Sequence, residues 1–541
     1  MKRSHRSGGR GKSRNRPLSR EELLADEVRL HPPPAYRKGD RWIVVAYPSD
    51  YHVAMSNLGF QAVRRMAEGA PGWRTERLLD SPQPRRGALE TFESGLSPAG
   101  ADVLAFSLST ELDAPVMARM LARAGLKVLA DDRGPDDPLV LLGGAAASLN
   151  PEAYALVADC IAVGEAEPIL PTLLAAVDES ESKLDALERL AELPHLYVPS
   201  RHRPGEVPEA ASLERLDDAA TATDIHTPHT EFAGVRLVEV SRGCPRGCRF
   251  CIVPWAHGRF RYRSLDSTLA LARGAERVGL LGAAAADHPE LPRILRELVF
   301  TEEREVTLSA SRVDALDEEA IELLVRGGQK TLTLAPETVD DDLRERIGKR
   351  VSLERVREAA IAASRLGMSV IKLYFILGMP GAVEDEVDGI IDLAESIAAA
   401  TGGSRVVVSA GPFVPKPHTP LARAAFPDVE AVREQLGRLD RALRKSRTAT
   451  EPRMGSVRYG VMETTLGRGG REIGRALARS AVKSRCNAAD WLKCLQDEAI
   501  DVEELLGERS PTDEPATEWR ARDGLEPGGK ARSDAAWESG T

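Results

Sequence analysis

At 541 residues, with 42% hydrophobic and 29% charged side chains, the chain has enough apolar sequence for two or three domain cores. A formal net charge of −10 and a pI near 5.7 argue against a general nucleic-acid-binding surface. No apolar run reaches the length of a membrane span, the N-terminus is polar and basic rather than signal-like, and cysteine is scarce, so a cytoplasmic, multidomain protein is expected.

Residues 1–39 begin with an Arg-, Lys-, Ser- and Gly-rich run that cannot bury a core. They are expected to form a basic disordered tail, and nucleic acid, if touched at all, would be touched there through counterion release. In residues 40–180, short apolar runs at 42–47, 73–78, 102–107, 139–142 and 160–163 alternate with helical patterns such as 114–124 and 167–177. That alternation predicts an α/β domain with a parallel sheet covered on both faces, here a flavodoxin-like, doubly wound one. Ligands of such sheets bind at the carboxyl ends of the strands. Those ends carry Ser107, Ser109, Gly143, Gly144 and Gly164, small residues that let a large flat ligand approach the backbone. Residues 181–233 read as a linker, with a short helix over 183–193 and then a Pro-, Ala-, Asp- and Thr-rich stretch.

The alternation restarts in residues 234–425, with strands expected at 235–240, 278–282, 306–309, 330–335, 370–376 and 405–409 and clear helices at 319–325, 353–366 and 383–398. Six β/α units are too few for a closed eight-fold barrel, so a partial (β/α)6 barrel is expected, with its chemistry on the loops after the strands. Residues 426–507 read as a helical C-terminal region. Its Gly467-Arg468-Gly469-Gly470-Arg471 run is a turn before a basic helix face, or a cradle for phosphate. Residues 508–541 are Pro-, Gly- and charge-rich and read as a second disordered tail.

Directly after the first barrel strand, three of the six cysteines fall at Cys244, Cys248 and Cys251, a Cys-x3-Cys-x2-Cys spacing. So short a loop can turn three thiolates toward one metal centre. Three ligands leave that centre one short of the usual closed set. Two readings follow from spacing alone: an incompletely ligated iron–sulfur cluster, or a structural zinc completed by His257.

The triad, with Phe250 immediately before the third cysteine, resembles the signature of the radical S-adenosylmethionine (radical SAM) superfamily. Leu334-Ala335-Pro336-Glu337, the run from Lys372 to Pro380 and the run from Pro412 to Pro420 are similar to segments of an uncharacterised group in that superfamily, whose members carry an N-terminal cobalamin-binding-like domain. The resemblance spans about residues 40–507. It implies a 4Fe-4S cluster on Cys244, Cys248 and Cys251, with S-adenosylmethionine chelating the fourth iron and cleaved reductively to a 5′-deoxyadenosyl radical. It further implies an electron donor such as flavodoxin or ferredoxin. Phe250, Ser309, Ser311 and Glu337 would then contact S-adenosylmethionine, while Gly282-Ala283-Ala284-Ala285 stands where the family has a Gly-Gly-Glu motif but lacks its carboxylate. His418, in the Pro-rich run, is either a substrate-facing or a surface histidine. Ser107, Ser109, Gly143 and Gly144 match small-residue positions of the cobalamin fold, and cobalamin-dependent methyl transfer is one form the chemistry would take. Asp50-Tyr51-His52-Val53-Ala54-Met55 has methionine where the axial-histidine motif of cobalamin methyltransferases needs glycine, so His52 reads as a polar loop residue.

Cys251-Ile252-Val253-Pro254 and Gly258-Arg259 also look like the methylthiotransferase motif. Those enzymes hold a second cluster on three upstream cysteines, and only Cys160 lies upstream here; Cys486 and Cys494 are too few downstream. The non-enzymatic alternative is a zinc- or cluster-stabilised binding module with an RNA-contacting basic tail. About four irons with sulfide per chain would mark the enzyme, one zinc without sulfide the module.

Overall fold

A computed structural model describes residues 17–80, 87–256, 258–309, 315–383, 386–483 and 485–509. Strands β1 (Arg41–Tyr47), β2 (Trp73–Leu79), β3 (Val103–Ser107), β4 (Leu139–Gly143), β5 (Cys160–Ala162) and β6 (Leu196–Tyr197) form one sheet in the order β2-β1-β3-β4-β5-β6. The first five are parallel and β6 joins antiparallel. The order 2-1-3-4-5 is that of the flavodoxin-like doubly wound sheet expected from the sequence. Along β1 the side chains alternate: Ile43, Val45 and Tyr47 pack under helices α1 (Leu58–Glu68) and α2 (Ala166–Asp178), and Val44 and Ala46 pack on the other face. Burial on both faces explains why the strand reads as a continuous apolar run.

The second face is completed from far along the chain. Helices α8 (Ile473–Ser480) and α9 (Ala488–Asp497) contribute Ile473, Leu477, Trp491 and Leu495 to the same core as Val44, Leu104 and Leu142. Trp491 is fully buried and donates its indole N–H to Thr465 Oγ1 at 2.9 Å. Asn150, at the end of the first domain's core, donates to the carbonyls of Leu466, Gly467 and Gly469. The helical C-terminal region is therefore a layer of the first domain as well as an extension of the barrel.

Barrel strands β7 (Arg236–Glu239), β8 (Arg277–Leu281) and β9 (Glu305–Leu308) form one parallel run, β10 (Thr331–Glu337), β11 (Val370–Leu377), β12 (Arg405–Pro412) and β13 (Thr450–Met454) another. The six expected strands are present. The seventh, β13, lies at the edge and carries Pro452, which an edge strand tolerates. No ladder bonds join β9 to β10. There the buried side chain of Gln329 takes the Leu308 N–H at 2.7 Å and donates to the Thr331 carbonyl at 2.9 Å. Ile371, Leu373, Phe375 and Leu377 of β11 are buried beneath helices α4 (Leu353–Leu366) and α5 (Glu386–Ala400), each contributing about 1.5–3 kcal/mol. Lys372 and Tyr374 point to the opposite, inner side.

Two expectations about the connecting segments need correction. The tail of residues 1–39 contains a helix, Arg20–Ala25, closed by a Ser19/Glu22 capping box with Leu23 buried, and Val28–Arg29 pairs with Ile225–His226. A capping box plus one buried leucine suffices to anchor that short turn. The segment 181–233 does more than cross the surface: Ala211 bridges to Gly164 and Ala222 to Val238, so it adds backbone to both sheets. Residues 1–16 and 510–541, which carry the rest of the expected tails, lie outside the described residues. No helix among the described residues is long and apolar enough to cross a membrane.

Candidate functional site

The three cysteines sit in the loop between two short strands, Ser241–Arg242 and Arg261–Tyr262, which pair antiparallel beside the end of β7. The loop is pinned on several sides. The Arg249 N–H donates to the Ile347 carbonyl at 2.9 Å, and the Trp255 indole donates to the Cys248 carbonyl at 3.1 Å. The Arg246 guanidinium binds Asp287, with Nε at 2.9 Å. Gly348 has φ +72°, and a Cβ there would stand 2.6 Å from the Gly247 carbonyl, so only glycine lets this turn meet the loop. Cys248 is buried with Sγ 3.8 Å from the Gly348 carbonyl, and Cys244 and Cys251 are half-buried.

Burial pushes the Cys251 thiol up to about 11, and the neighbouring Cys248, Cys244 and Glu337 add negative charge in the same direction. The three sulfurs therefore share one field, which a cationic iron centre would relieve. Among the described residues no three His, Cys, Asp or Glu side chains close on a single metal ion. A cluster asks for less, because each thiolate attaches to a different iron. The donor set fits a three-thiolate cluster on these grounds. His257, the fourth ligand in the zinc reading, lies outside the described residues.

Glu337 ends β10 in the left-handed region, φ +68°, after a register shift in the strand, and its carboxylate meets Lys349 Nζ at 2.9 Å. Such a conformation costs a non-glycine residue about 1–3 kcal/mol and is held by its surroundings. Ser309 is exposed at the end of β9, and its Oγ accepts the Gly282 N–H at 3.4 Å. Ser311 lies outside the described residues. Phe250 is half-buried against Leu343, Ile347, Met379, Phe413 and Leu421, a small core beneath the cysteine loop. That packing is its observed contact.

A cleft of about 500 Å³ separates this loop from the first domain. The first domain's side carries the small residues Gly59, Ala62, Gly144, Ala145 and Gly164 beside Leu58, Val63 and Met66. Gly144 has φ +95°, and a Cβ would stand 2.5 Å from the Leu108 carbonyl. The barrel side carries Arg242, Trp255, Gly282 and His418. His418 Nε2 lies 2.7 Å from the Leu149 carbonyl, so this histidine faces the cleft and joins the two domains there. Of the four small residues expected to face cobalamin, only Gly144 is on the wall. Ser107 and Gly143 are not, and Ser109 Oγ accepts from Tyr47 Oη at 3.0 Å and Asn57 Nδ2 at 3.2 Å. His52 is an exposed residue of the helix Tyr51–Ser56 rather than of a loop, with Nδ1 3.2 Å from the His229 carbonyl. The glycine–arginine run offers no cradle: Arg468 is buried and donates to the carbonyls of Leu505 and Gly507, and Arg471 pairs with Glu152 at 2.7 Å.

One cluster in the cleft was not expected. Arg242 contacts Glu165 at 2.9 Å, Glu167 at 2.9 Å and Glu239 at 2.7 Å. Burial alone would raise the Glu165 carboxyl, but Arg261 and Arg242 hold it below its ordinary value. The only sequence signal was a pair of acids, Glu165 and Glu167, directly after a strand end.

At the start of the helix Glu386–Ala400, Glu386 is 1% exposed, and among the described residues its Oε1 has no hydrogen-bond partner. Burial pushes its carboxyl up to about 7 from 4.5, a hydrogen bond with Thr338 working against the rise and Asp340 with it. Between those two values the folded protein keeps a proton that the unfolded chain has released. Stability therefore falls as pH rises from about 4.5 to about 7 and levels off above. Glu386→Gln is expected to stabilise the protein at pH 8 by on the order of 2–3 kcal/mol and to leave it nearly unchanged at pH 4, as read by urea unfolding.

Comparison with known proteins agrees with this architecture. A family model described as the radical SAM superfamily matches residues 238–394, and one described as radical SAM proteins, N-terminal, matches residues 75–199. An uncharacterized protein of Methanocaldococcus jannaschii is 31% identical over 214 residues, 39% of this chain and 47% of that one. Bacteriochlorophyllide d C-8(2)-methyltransferase of Chlorobaculum tepidum is 34% identical over 143 residues, 26% of this chain and 28% of that one. The matches span less than half the length of these curated relatives. A structure of TsrM, a radical S-adenosylmethionine methyltransferase from Kitasatospora setae with cobalamin and a [4Fe-4S] cluster bound, matches with a TM-score of 0.50 at 17% identity, over 71% of this chain and 74% of that one, which shows a common fold.

Proposed function

The chain belongs to the radical SAM superfamily, and from that premise we propose that it is an enzyme that cleaves S-adenosylmethionine at a 4Fe-4S cluster held by Cys244, Cys248 and Cys251. The observation that carries the reading is the pinned loop that holds Cys244, Cys248 and Cys251 at the mouth of a parallel half-barrel. When bound, the cluster and S-adenosylmethionine supply one-electron cleavage of a sulfonium C–S bond to a 5′-deoxyadenosyl radical. The electron comes from a donor such as flavodoxin or ferredoxin.

The chain's own residues bind and orient. The loop presents three thiolates and withholds a fourth protein ligand, leaving a position for the amino-acid end of the cosubstrate. Glu337, already paired with Lys349, and Ser309, beside the Gly282 N–H, would hold its polar groups at the strand ends. Phe250 supports the loop from beneath, with part of its ring left for the adenine.

The small residues of that wall, Gly144 among them, favour cobalamin as a second cofactor and methyl transfer as the reaction class. Among the described residues, Gly59, Ala62, Gly144, Ala145 and Gly164 on that wall would hold the cofactor. Anaerobic reconstitution with iron, sulfide and S-adenosylmethionine tests the first part. Formation of 5′-deoxyadenosine under strong reductant is expected; one zinc, no sulfide and intact cosubstrate would overturn it. Incubation with hydroxocobalamin tests the second: a corrin spectrum that survives gel filtration is expected, and complete loss of colour rejects cobalamin.

A further inference from the structure

The cysteine loop is anchored from the other domain. Its two flanking strands place Arg242 opposite Arg261, and both arginines reach across to the segment that follows β5. Arg242 binds Glu165 and Glu167, each at 2.9 Å, while Arg261 binds the second oxygen of Glu165 at 2.6 Å and donates to Ser212 Oγ at 3.0 Å. Glu165 thus holds both sides of the hairpin at its base. The side chains are 15%, 5%, 10% and 14% exposed for Arg242, Arg261, Glu165 and Glu167, so water screens them little.

An exposed ion pair fixes almost nothing, but a buried one is costly to break because it strands the remaining charge. If the hairpin base slid along the first domain, Arg261 would lose both oxygens of Glu165 and Arg242 would keep only Glu239 of its three carboxylates. Cys244 stands two residues beyond Arg242, so its position is set by carboxylates of another domain. Glu165, Glu167 and Arg242 also line the cleft, where a ligand would touch the same groups. We infer that Glu165 and Glu167 are positioning residues, which hold the cysteine loop in register with whatever occupies the first-domain wall of the cleft. The inference rests on the proposed cluster.

The test uses the full chain, reconstituted anaerobically with iron and sulfide and reduced, with electron paramagnetic resonance recorded before and after S-adenosylmethionine is added. Wild type is expected to show a cosubstrate-induced change of spectrum. Glu167→Gln, which leaves Arg242 paired with Glu165 and Glu239, is expected to keep its iron and its unfolding temperature but to lose or split that change, and Glu167→Asp to restore it. Glu165→Gln should have the larger effect. Glu188→Gln, which removes a surface pair with Arg201 in the same domain, should behave as wild type. A wild-type spectral change in iron-loaded Glu167→Gln would overturn the inference, even if Glu165→Gln fails to fold. A wild-type chain that takes up no cluster would overturn the underlying reading instead.

Discussion

Replacing Cys248 by alanine is expected to cut iron and sulfide from about four of each per chain to a small residue, and 5′-deoxyadenosine formation to background. Cys248 is the buried member of the triad, with its carbonyl held by Trp255 and its sulfur against the Gly348 turn. Without Cys248 a cluster would keep two of its three protein thiolates, Cys244 and Cys251. Because the substitution removes a single buried sulfur atom, the unfolding temperature of the metal-free protein should change little. Cys486→Ala is the control: this half-buried thiol lies near Cys494 in the C-terminal layer, and its replacement should leave iron content and product unchanged. Iron and sulfide analysis with product detection by mass checks both. Full loading of Cys248→Ala would remove the site from the triad.

Lys416→Met is expected to destabilise the protein by about 3 kcal/mol. Lys416 lies in the loop after β12 and reaches Glu111 of the first domain at 2.8 Å and Glu463 of the C-terminal helix Val457–Arg468. Burial would lower its pKa, but the two carboxylates hold it above the ordinary value. Glu111 is only 5% exposed, so losing the cation strands a buried charge. The companion Glu111→Gln should recover much of the loss in the Lys416→Met background, although it costs stability alone, a coupling that a double-mutant cycle in urea measures. Additive effects would mean that the three charges do not act as one node.

The strands were legible in two ways: burial on both faces writes a continuous apolar run in Ile43–Tyr47, whereas buried Ile371, Leu373, Phe375 and Leu377 alternate with less buried residues in β11. Thr450–Met454 was not, since an edge strand with Glu451, Pro452 and Arg453 carries neither such a run nor a clean alternation. Leu196–Tyr197 is too short to signal anything. The amphipathic pattern of residues 473–497 announced a buried face but not what covers it; sequence periodicity gives the stripe and not the partner. At the site, the cysteine triad was readable because its ligands are local. The arginine clamp was not, because its charges lie about 75 to 96 residues apart and each reads alone as a solvated side chain. The residues chosen at strand ends divide likewise: Gly144 faces the cleft, whereas Ser109 is engaged by Tyr47 and Asn57, a contact that only folding reveals.

The return of the last helices to the first sheet also bears on how the protein is born. A ribosome that has released Ala162, the end of the fifth strand, must add roughly 300 more residues before Val457 emerges, on the order of 15–60 s at cellular translation speeds. Throughout that interval Val44, Leu104 and Leu142 await their lid, so the nascent chain should be a client of co-translational chaperones and slow to mature when its C-terminus is truncated.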